Sequence, residues 1–348
     1  MKEKYFSNRF FVLYLTPFII GSLTVFSFQP FNITIINFLI LLIFFYLTVY
    51  INKKSKSIFR KKPYRKNFFI FGSVFGFGFY LSGTSWIANS LTFDENFKIL
   101  IPFAIILIPL FLSLFTGFTI LLIGPFLSYN FSSIFIFSGA MAFSDFLRAK
   151  LFTGFPWNLW AYSWSWFPEI LQSINVIGLY AFNLFTLIIF CSPLLLFLKK
   201  DKKNILIISL LLVIFFSNYI YGSLRINKEI NKYKSETVSK NEKINIKLVS
   251  PNFNLKYNLS QQDLKNLIKK LIKYSEPKKN TKTIFVWPEG VFTGYNYNDL
   301  LLYQNLFIEN FSKNHTLIFG VNTVDKNLNY FNSFIAVNNK FEVIASTS

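Results

Sequence analysis

A carboxylate able to act as an acid or base stands in the stretch Thr283 to Gly294, TIFVWPEGVFTG. Ile284, Phe285, Val286 and Trp287 form a short β-branched and aromatic run, long enough for a buried strand and too short to cross a bilayer. Pro288 ends the run, because proline cannot donate to a sheet ladder and fixes its own φ. Glu289 is thereby placed just past the strand's carboxyl end, where open α/β sheets keep their ligand sites. A general base is one reading of Glu289, and a solvated loop carboxylate is the other. Other reactive side chains are scarce. Cys191 is the sole cysteine and His315 the sole histidine. An intramolecular disulfide is therefore impossible, and a zinc site or a local Cys-His dyad has almost nothing to be built from. Cys191 lies in LIIFCSPLLLF, where a small buried hydrophobe is the expected role. His315 opens a strand and is expected to be structural. No metal and no cofactor is expected.

The elements that must position these groups differ sharply between the two parts of the chain. Of 348 residues, 53% are hydrophobic and 20% aromatic, and the mean hydropathy is +0.41. That exceeds what a soluble domain of this length carries and predicts a membrane protein. The formal net charge of +20 sits in blocks between apolar spans, as the positive-inside rule requires, and does not call for nucleic acid. Seven spans are predicted. Phe10 to Phe26 follows a basic leader but lacks a small-x-small cleavage site, so it is a retained helix. Ile33 to Ile51 is the second span, and the basic loop 52–67 behind it belongs on the cytoplasmic side. Phe68 to Ala88 carries Gly72, Gly76, Gly78 and Gly83 at spacings suited to close helix packing. Ile99 to Ile123 follows, with Pro102 and Pro109 predicting a kink or a shortened start. Ser133 to Leu147, Ile174 to Leu198 and Ile205 to Tyr221 complete the set, and the basic 199–204 marks the cytoplasm again. A chain that starts inside and crosses seven times ends outside.

After Gly222 the composition turns polar. The expected organisation is a transmembrane domain over 1–222, a linker over 223–242 and a second domain over 243–348. Ile244, Ile246 and Leu248 alternate as in a strand. Ser260 and Asp263 have capping-box spacing, and Leu264, Leu267, Ile268, Leu271 and Ile272 share one helical face. A second amphipathic helix is predicted over about 299–311, then strands at 316–321, 331–337 and 341–345. The order β-α-β-α-β-β predicts an α/β or α+β domain with layered sheets.

Two stretches in combination resemble one family. The first is SDFLRAKLFTGFPWNLWAYSW, residues 144–164. The second is the strand-end Trp287-Pro288-Glu289, with YFNSFIAV at 330–337 downstream. Together with the spans and an external domain, they resemble apolipoprotein N-acyltransferase, an inner-membrane enzyme with a nitrilase-like domain. The fold implied is a multi-pass α-helical membrane domain of about seven transmembrane helices, followed by a partial nitrilase-like α/β domain (layered α-β-β-α) on the periplasmic side of a bacterial inner membrane. The function implied is transfer of an acyl chain from a phospholipid, through a cysteine thioester, to the α-amine of a lipoprotein's diacylglyceryl-cysteine. The resemblance places the general base of a Glu-Lys-Cys triad at Glu289. It puts the family's lysine and cysteine beyond Ser348, so the chain is expected to be C-terminally truncated and inactive alone, and a second chain is a possible source of both. Lys326 and Lys340 lack the motif context and are expected to be surface loop residues.

The loop from Arg148 to Pro168 is the other candidate site, with Trp157, Trp160, Trp164 and Trp166 beside Arg148 and Lys150. An interfacial aromatic belt with snorkelling cations is one reading. The other is a phospholipid entrance, with Arg148 at the phosphate and Trp157 against the acyl chains, since both match the family stretch. Asp145 is expected to pair with Arg148. Tyr257 falls about where the family has a tryptophan near the active site. Two rival functions remain: a catalytically inactive remnant, and a membrane scaffold or transporter with a periplasmic domain. The rarity of ionisable residues inside the spans counts against a transport path.

Overall fold

The computed structural model describes residues 8–54, 64–152, 154–198, 202–239, 244–253, 259–325 and 327–347. The chain divides into two compact units, Met1–Lys232 and Tyr233–Ser348.

The first unit is helical. Its main helices are α1 (Thr16–Leu23), α2 (Ile36–Lys54), α3 (Tyr64–Thr84), α4 (Ile101–Ile123), α5 (Phe131–Lys150), α6 (Leu179–Cys191) and α7 (Lys202–Ser239). Among the described residues, five helical stretches are long and apolar enough to cross a membrane: Ile36–Lys54, Tyr64–Phe93, Glu95–Phe126, Leu179–Leu196 and Lys202–Ser235. Seven were expected. The first expected span is the shorter apolar helix Phe11–Ser27. It begins with a π-helical turn and ends in a 3-10 turn, which divide its length. The fifth is α5, whose buried face carries Ser133, Ser138, Ser144, Asp145 and Arg148 and is correspondingly less apolar. Pro102 sits in the first turn of α4, where its missing N–H costs nothing, and Pro109 lies inside the helix. α7 does not stop at Gly222. Residues 223–239, expected as linker, contain neither Pro nor Gly, and the helix continues through them. Most of the basic loop 52–67 lies outside the described residues.

Aromatic rings and glycines set how the helices approach. Phe44 of α2 stacks on Phe75 of α3 at 3.8 Å, and Phe137 of α5 meets Phe44 edge-on at 5.7 Å. Phe79 of α3 stacks on Trp160 at 5.2 Å, extending the cluster to the loop after α5. α1 and α3 touch backbone to backbone. A methyl group at Gly78 would overlap the carbonyl of Phe18, and one at Gly21 would overlap that of Phe75. This is the close packing that the glycine spacing predicts.

The second unit is one five-stranded sheet in the order β1 (Asn245–Leu248), β2 (Thr283–Val286), β3 (His315–Val324), β4 (Tyr330–Val337) and β5 (Val343–Thr347). β1, β2 and β3 are parallel, and β4 and β5 are antiparallel to their neighbours. The first crossover is α8 (Gln261–Ser275), started by the Ser260–Asp263 capping box. It buries Leu264, Ile268, Leu271 and Ile272 against Phe285, Leu317 and Ile335 of the sheet. The second crossover is two helices rather than one, α9 (Tyr297–Leu301) and α10 (Gln304–Asn310). The break lets the hydroxyl of Tyr303 donate to the carbonyl of Gln261 while Phe307 enters the core. The last strand starts two residues later than the sequence pattern suggests. Phe341 leaves it, adopts a left-handed φ of 63°, and is buried against Tyr297, Phe307 and Phe319.

Gly78→Val places a branched side chain where α1 and α3 share backbone contact. Overpacking of this kind costs about 1–3 kcal/mol. A lowered melting temperature in detergent is the expected outcome, with Gly139→Val as the control, since nothing lies within 4 Å of a Cβ there.

Candidate functional site

Glu289 is positioned by the residue before its proline. Trp287 continues the β2 pairing by one residue, its N–H donating to the carbonyl of Ile318 at 2.9 Å. Its indole Nε1 donates to Ser275 Oγ at 2.9 Å, and that hydroxyl donates to the carbonyl of Leu271 at 2.8 Å. The ring packs against Phe292, Phe307 and Phe319. The strand end is therefore fixed by a buried aromatic with its polar atom satisfied. Pro288 stops the pairing, and Gly290 at φ 70° turns the chain away. Glu289 is exposed at the carboxyl end of β2. It borders two clefts. One, of about 200 Å³, is lined by Ser250, Asn252, Phe253, Leu267 and Pro288. The other, of about 180 Å³, is lined by Trp287, Gly320, Asn332, Ser333 and Phe334. A side chain at Gly320 would come to within 3.9 Å of Glu289 Cγ, so the glycine leaves room beside the carboxylate. Among the described residues no cation pairs with Glu289. A carboxylate at a strand end, with open space on both sides and no counter-charge, can take a proton from a group entering either cleft.

The loop after α5 is built around a buried charge. Arg148 is 2% exposed. Its guanidinium donates to Asp145 Oδ1 at 3.1 Å and to the carbonyls of Phe155 and Trp157, the latter at 2.7 Å. It also lies 5.2 Å from the centre of the Tyr80 ring. Asp145 Oδ2 accepts from Asn183 Nδ2 at 2.9 Å, and Asn183 Oδ1 accepts from the N–H of Ala161 at 2.9 Å. The expected Asp145–Arg148 pair is thus present, within a larger network tying α5 and α6 to the loop. Sequence reasoning missed Asn183, although an amide inside an apolar span was a signal that could have found it. The loop spends unusual backbone to keep this shape, with Phe152, Gly154 and Asn158 all at positive φ.

Arg148 and Trp157, expected to meet a phospholipid together, are separated by this arrangement. Arg148 faces inward to backbone carbonyls. Trp157 is 52% exposed and meets Trp86 edge-on at 5.3 Å. The two indoles line a cavity of about 730 Å³ with Phe28, Gln29, Asn158 and Tyr162. Trp160 and Trp164 are buried in the helical core, so only part of the tryptophan cluster has the exposure an interfacial belt requires.

His315 is buried. Nδ1 accepts from the N–H of Ser312 at 3.0 Å, which leaves Nε2 to donate to the carbonyl of Lys278 at 3.0 Å. Both ring nitrogens join loops, as a structural role requires. Cys191 is buried at the end of α6. Lys340 is exposed, while Tyr257 and Lys326 lie outside the described residues.

A family model described as the apolipoprotein N-acyltransferase N-terminal domain matches residues 20–192, which include the α5 loop and its polar network. Over these residues the chain belongs to the apolipoprotein N-acyltransferase family. The curated apolipoprotein N-acyltransferase of Agrobacterium fabrum is 29% identical over 225 residues, covering 63% of this chain and 40% of that protein. The one from Brucella melitensis is 36% identical over 126 residues, 36% of this chain and 24% of that protein. The one from Rhizobium leguminosarum bv. trifolii is 24% identical over 292 residues, 80% of this chain and 53% of that protein. The chain thus spans between about a quarter and a half of the length of these relatives.

Arg148→Ala strands Asp145 in the core without its counter-charge. Breaking a buried pair from one side costs about 3–5 kcal/mol. Unfolding in detergent should therefore shift strongly downward, whereas Trp157→Ala, at an exposed ring, should shift it little.

Proposed function

We propose that this chain supplies the membrane domain and the general base of a phospholipid-dependent N-acyltransferase acting on lipoproteins. The observation carrying the proposal is Glu289, free of any counter-charge among the described residues, at the carboxyl end of β2 between two clefts. In the proposed reaction Glu289 takes the proton of a thiol. The thiolate attacks the ester carbonyl of the phospholipid, a C–S bond forms, and the lysophospholipid leaves with that proton. The amine of the diacylglyceryl-cysteine then attacks the thioester, so that a C–N bond forms and the thiol returns. Two half-reactions sharing one thioester give ping-pong kinetics.

The donor's acyl chain is assigned to the cavity beneath Trp157 and Trp86, whose lining is mainly apolar. Arg148 serves by holding the Trp157 carbonyl, and so the ring, in place. Tyr257 is proposed to border the reacting groups. The second unit is read as part of a nitrilase-like layered domain. Its helices cover one sheet face, and the other face presents Ile246, Leu248 and Phe334 in the open, as a sheet awaiting a second layer would. Seven crossings, with α1 and α5 among them, a cytoplasmic N-terminus and a periplasmic second unit complete the reading. Labelling of single cysteines with an impermeant reagent in intact spheroplasts should reach Lys265→Cys, at an exposed position of α8, and spare Ser57→Cys; the reverse overturns the topology.

The sole thiol, Cys191, is buried in α6. Purified polypeptide 1–348 with phospholipid and a diacylated lipopeptide should accordingly give no acylation. A partner polypeptide bringing a thiol and a lysine should restore it, and Glu289→Ala should then lower the rate by about 10²–10⁴. Turnover by 1–348 alone, or a restored rate indifferent to Glu289→Ala, would overturn this assignment.

A further inference from the structure

α4 and α5 do not close against each other along their whole length. A groove of about 390 Å³ runs between them, walled by Phe111, Phe115, Phe118 and Leu122 on α4 and by Phe143 and Leu147 on α5. It is more than twice the roughly 150 Å³ of a cavity that takes benzene. From Phe111 to Leu122, at about 1.5 Å per residue, it is roughly 17 Å long, close to half of the ~30 Å hydrocarbon core and hence to one leaflet's chains. Its two hydroxyls are already engaged. Ser144 Oγ donates to the carbonyl of Phe115 at 3.2 Å, and Thr119 Oγ1 donates to the same carbonyl at 2.8 Å. With both hydroxyl protons committed and the rest of the lining apolar, water finds too few of the two to four polar partners it needs, which favours an apolar occupant.

One end of the groove is different. Where α5 gives way to the loop, Phe152 is held at φ 57°, a costly conformation for a bulky residue. Its ring, 79% exposed, meets Phe111 edge-on at 5.3 Å. Lys150, two residues earlier, is exposed and has no ion-pair partner among the described residues. With α5 read as crossing the membrane, the ammonium in its last turn extends to the polar layer, which makes this the headgroup end. We infer that the α4–α5 groove is a lipid site in its own right, holding one acyl chain of a phospholipid whose phosphate meets Lys150. The groove shares no lining residue with the cavity at Trp157. The site therefore rests on the proposed crossing of the membrane by α5 and not on the acyl-transfer reading.

The test is native mass spectrometry of the full chain in mild detergent, after delipidation and titration with a single phospholipid. Wild type should bind one phospholipid that Ala140→Phe, which fills the groove, does not. Lys150→Gln should weaken that binding about fivefold, as expected for one cation at a membrane surface. Lys150 is exposed, so a loss there cannot come from a collapsed core. Trp157→Ala should keep this lipid. Equal binding by Ala140→Phe and wild type overturns the site, and so does loss of the same lipid in Trp157→Ala. A dimer that Ala140→Phe dissociates, with no change in bound lipid, would instead assign the groove to a second copy of the chain.

Discussion

The membrane unit depends on one buried charge pair that its own hydrocarbon surroundings would otherwise reject. Asp145 and Arg148 lie one helical turn apart on α5, both nearly inaccessible. An isolated ion there would cost many kcal/mol. The cost is offset because almost every hydrogen-bonding position is matched: Arg148 to two loop carbonyls, Asp145 to Asn183, and Asn183 to the backbone of Ala161. Only Arg148 Nε is left without a partner. Such a network specifies geometry better than apolar packing does, since shifting any member strands another. The loop that carries Trp157 thereby inherits its position from the interior of the bundle rather than from its own sequence.

The two candidate sites reflect opposite uses of polarity. Around Glu289 the anchoring is apolar and the functional atom is bare. Trp287 is locked among phenylalanines, and the carboxylate beyond it has open clefts on both sides. Around Trp157 the anchoring is polar and the presented surface is apolar. Each arrangement places the group that must meet a ligand on the far side of a rigid support, which lowers the ordering cost when a ligand arrives.

Much of this was legible because it follows local rules. Proline after a β-branched run located Glu289, Ser260 with Asp263 located the start of α8, and glycine spacing anticipated close packing on α3, though not which elements would approach it. What escaped depends on partners remote in sequence. Asn183 stands out in sequence only as an amide in an apolar span, and its role becomes visible only when it meets Asp145, 38 residues away. The break between α9 and α10 serves a contact from Tyr303 to Gln261 that no helical periodicity encodes. Arg148 could be matched to a motif, but which way its guanidinium turns is decided by carbonyls seven and nine residues ahead. The continuation of α7 past Gly222 was missed because a change in composition was taken for a change in conformation.

Phe341 shows a conflict settled in favour of the whole over the part. Its left-handed backbone favours glycine, while its place among Tyr297, Phe307 and Phe319 demands a large ring. A glycine there would relax the turn and empty the core, and a β-branched residue would fit neither requirement. The reversal from β4 into β5 is therefore not a self-sufficient hairpin. Its bend is held by a ring that Tyr297 of α9 and Phe307 of α10 receive, so the edge of the sheet takes its shape from the interior rather than from its own turn.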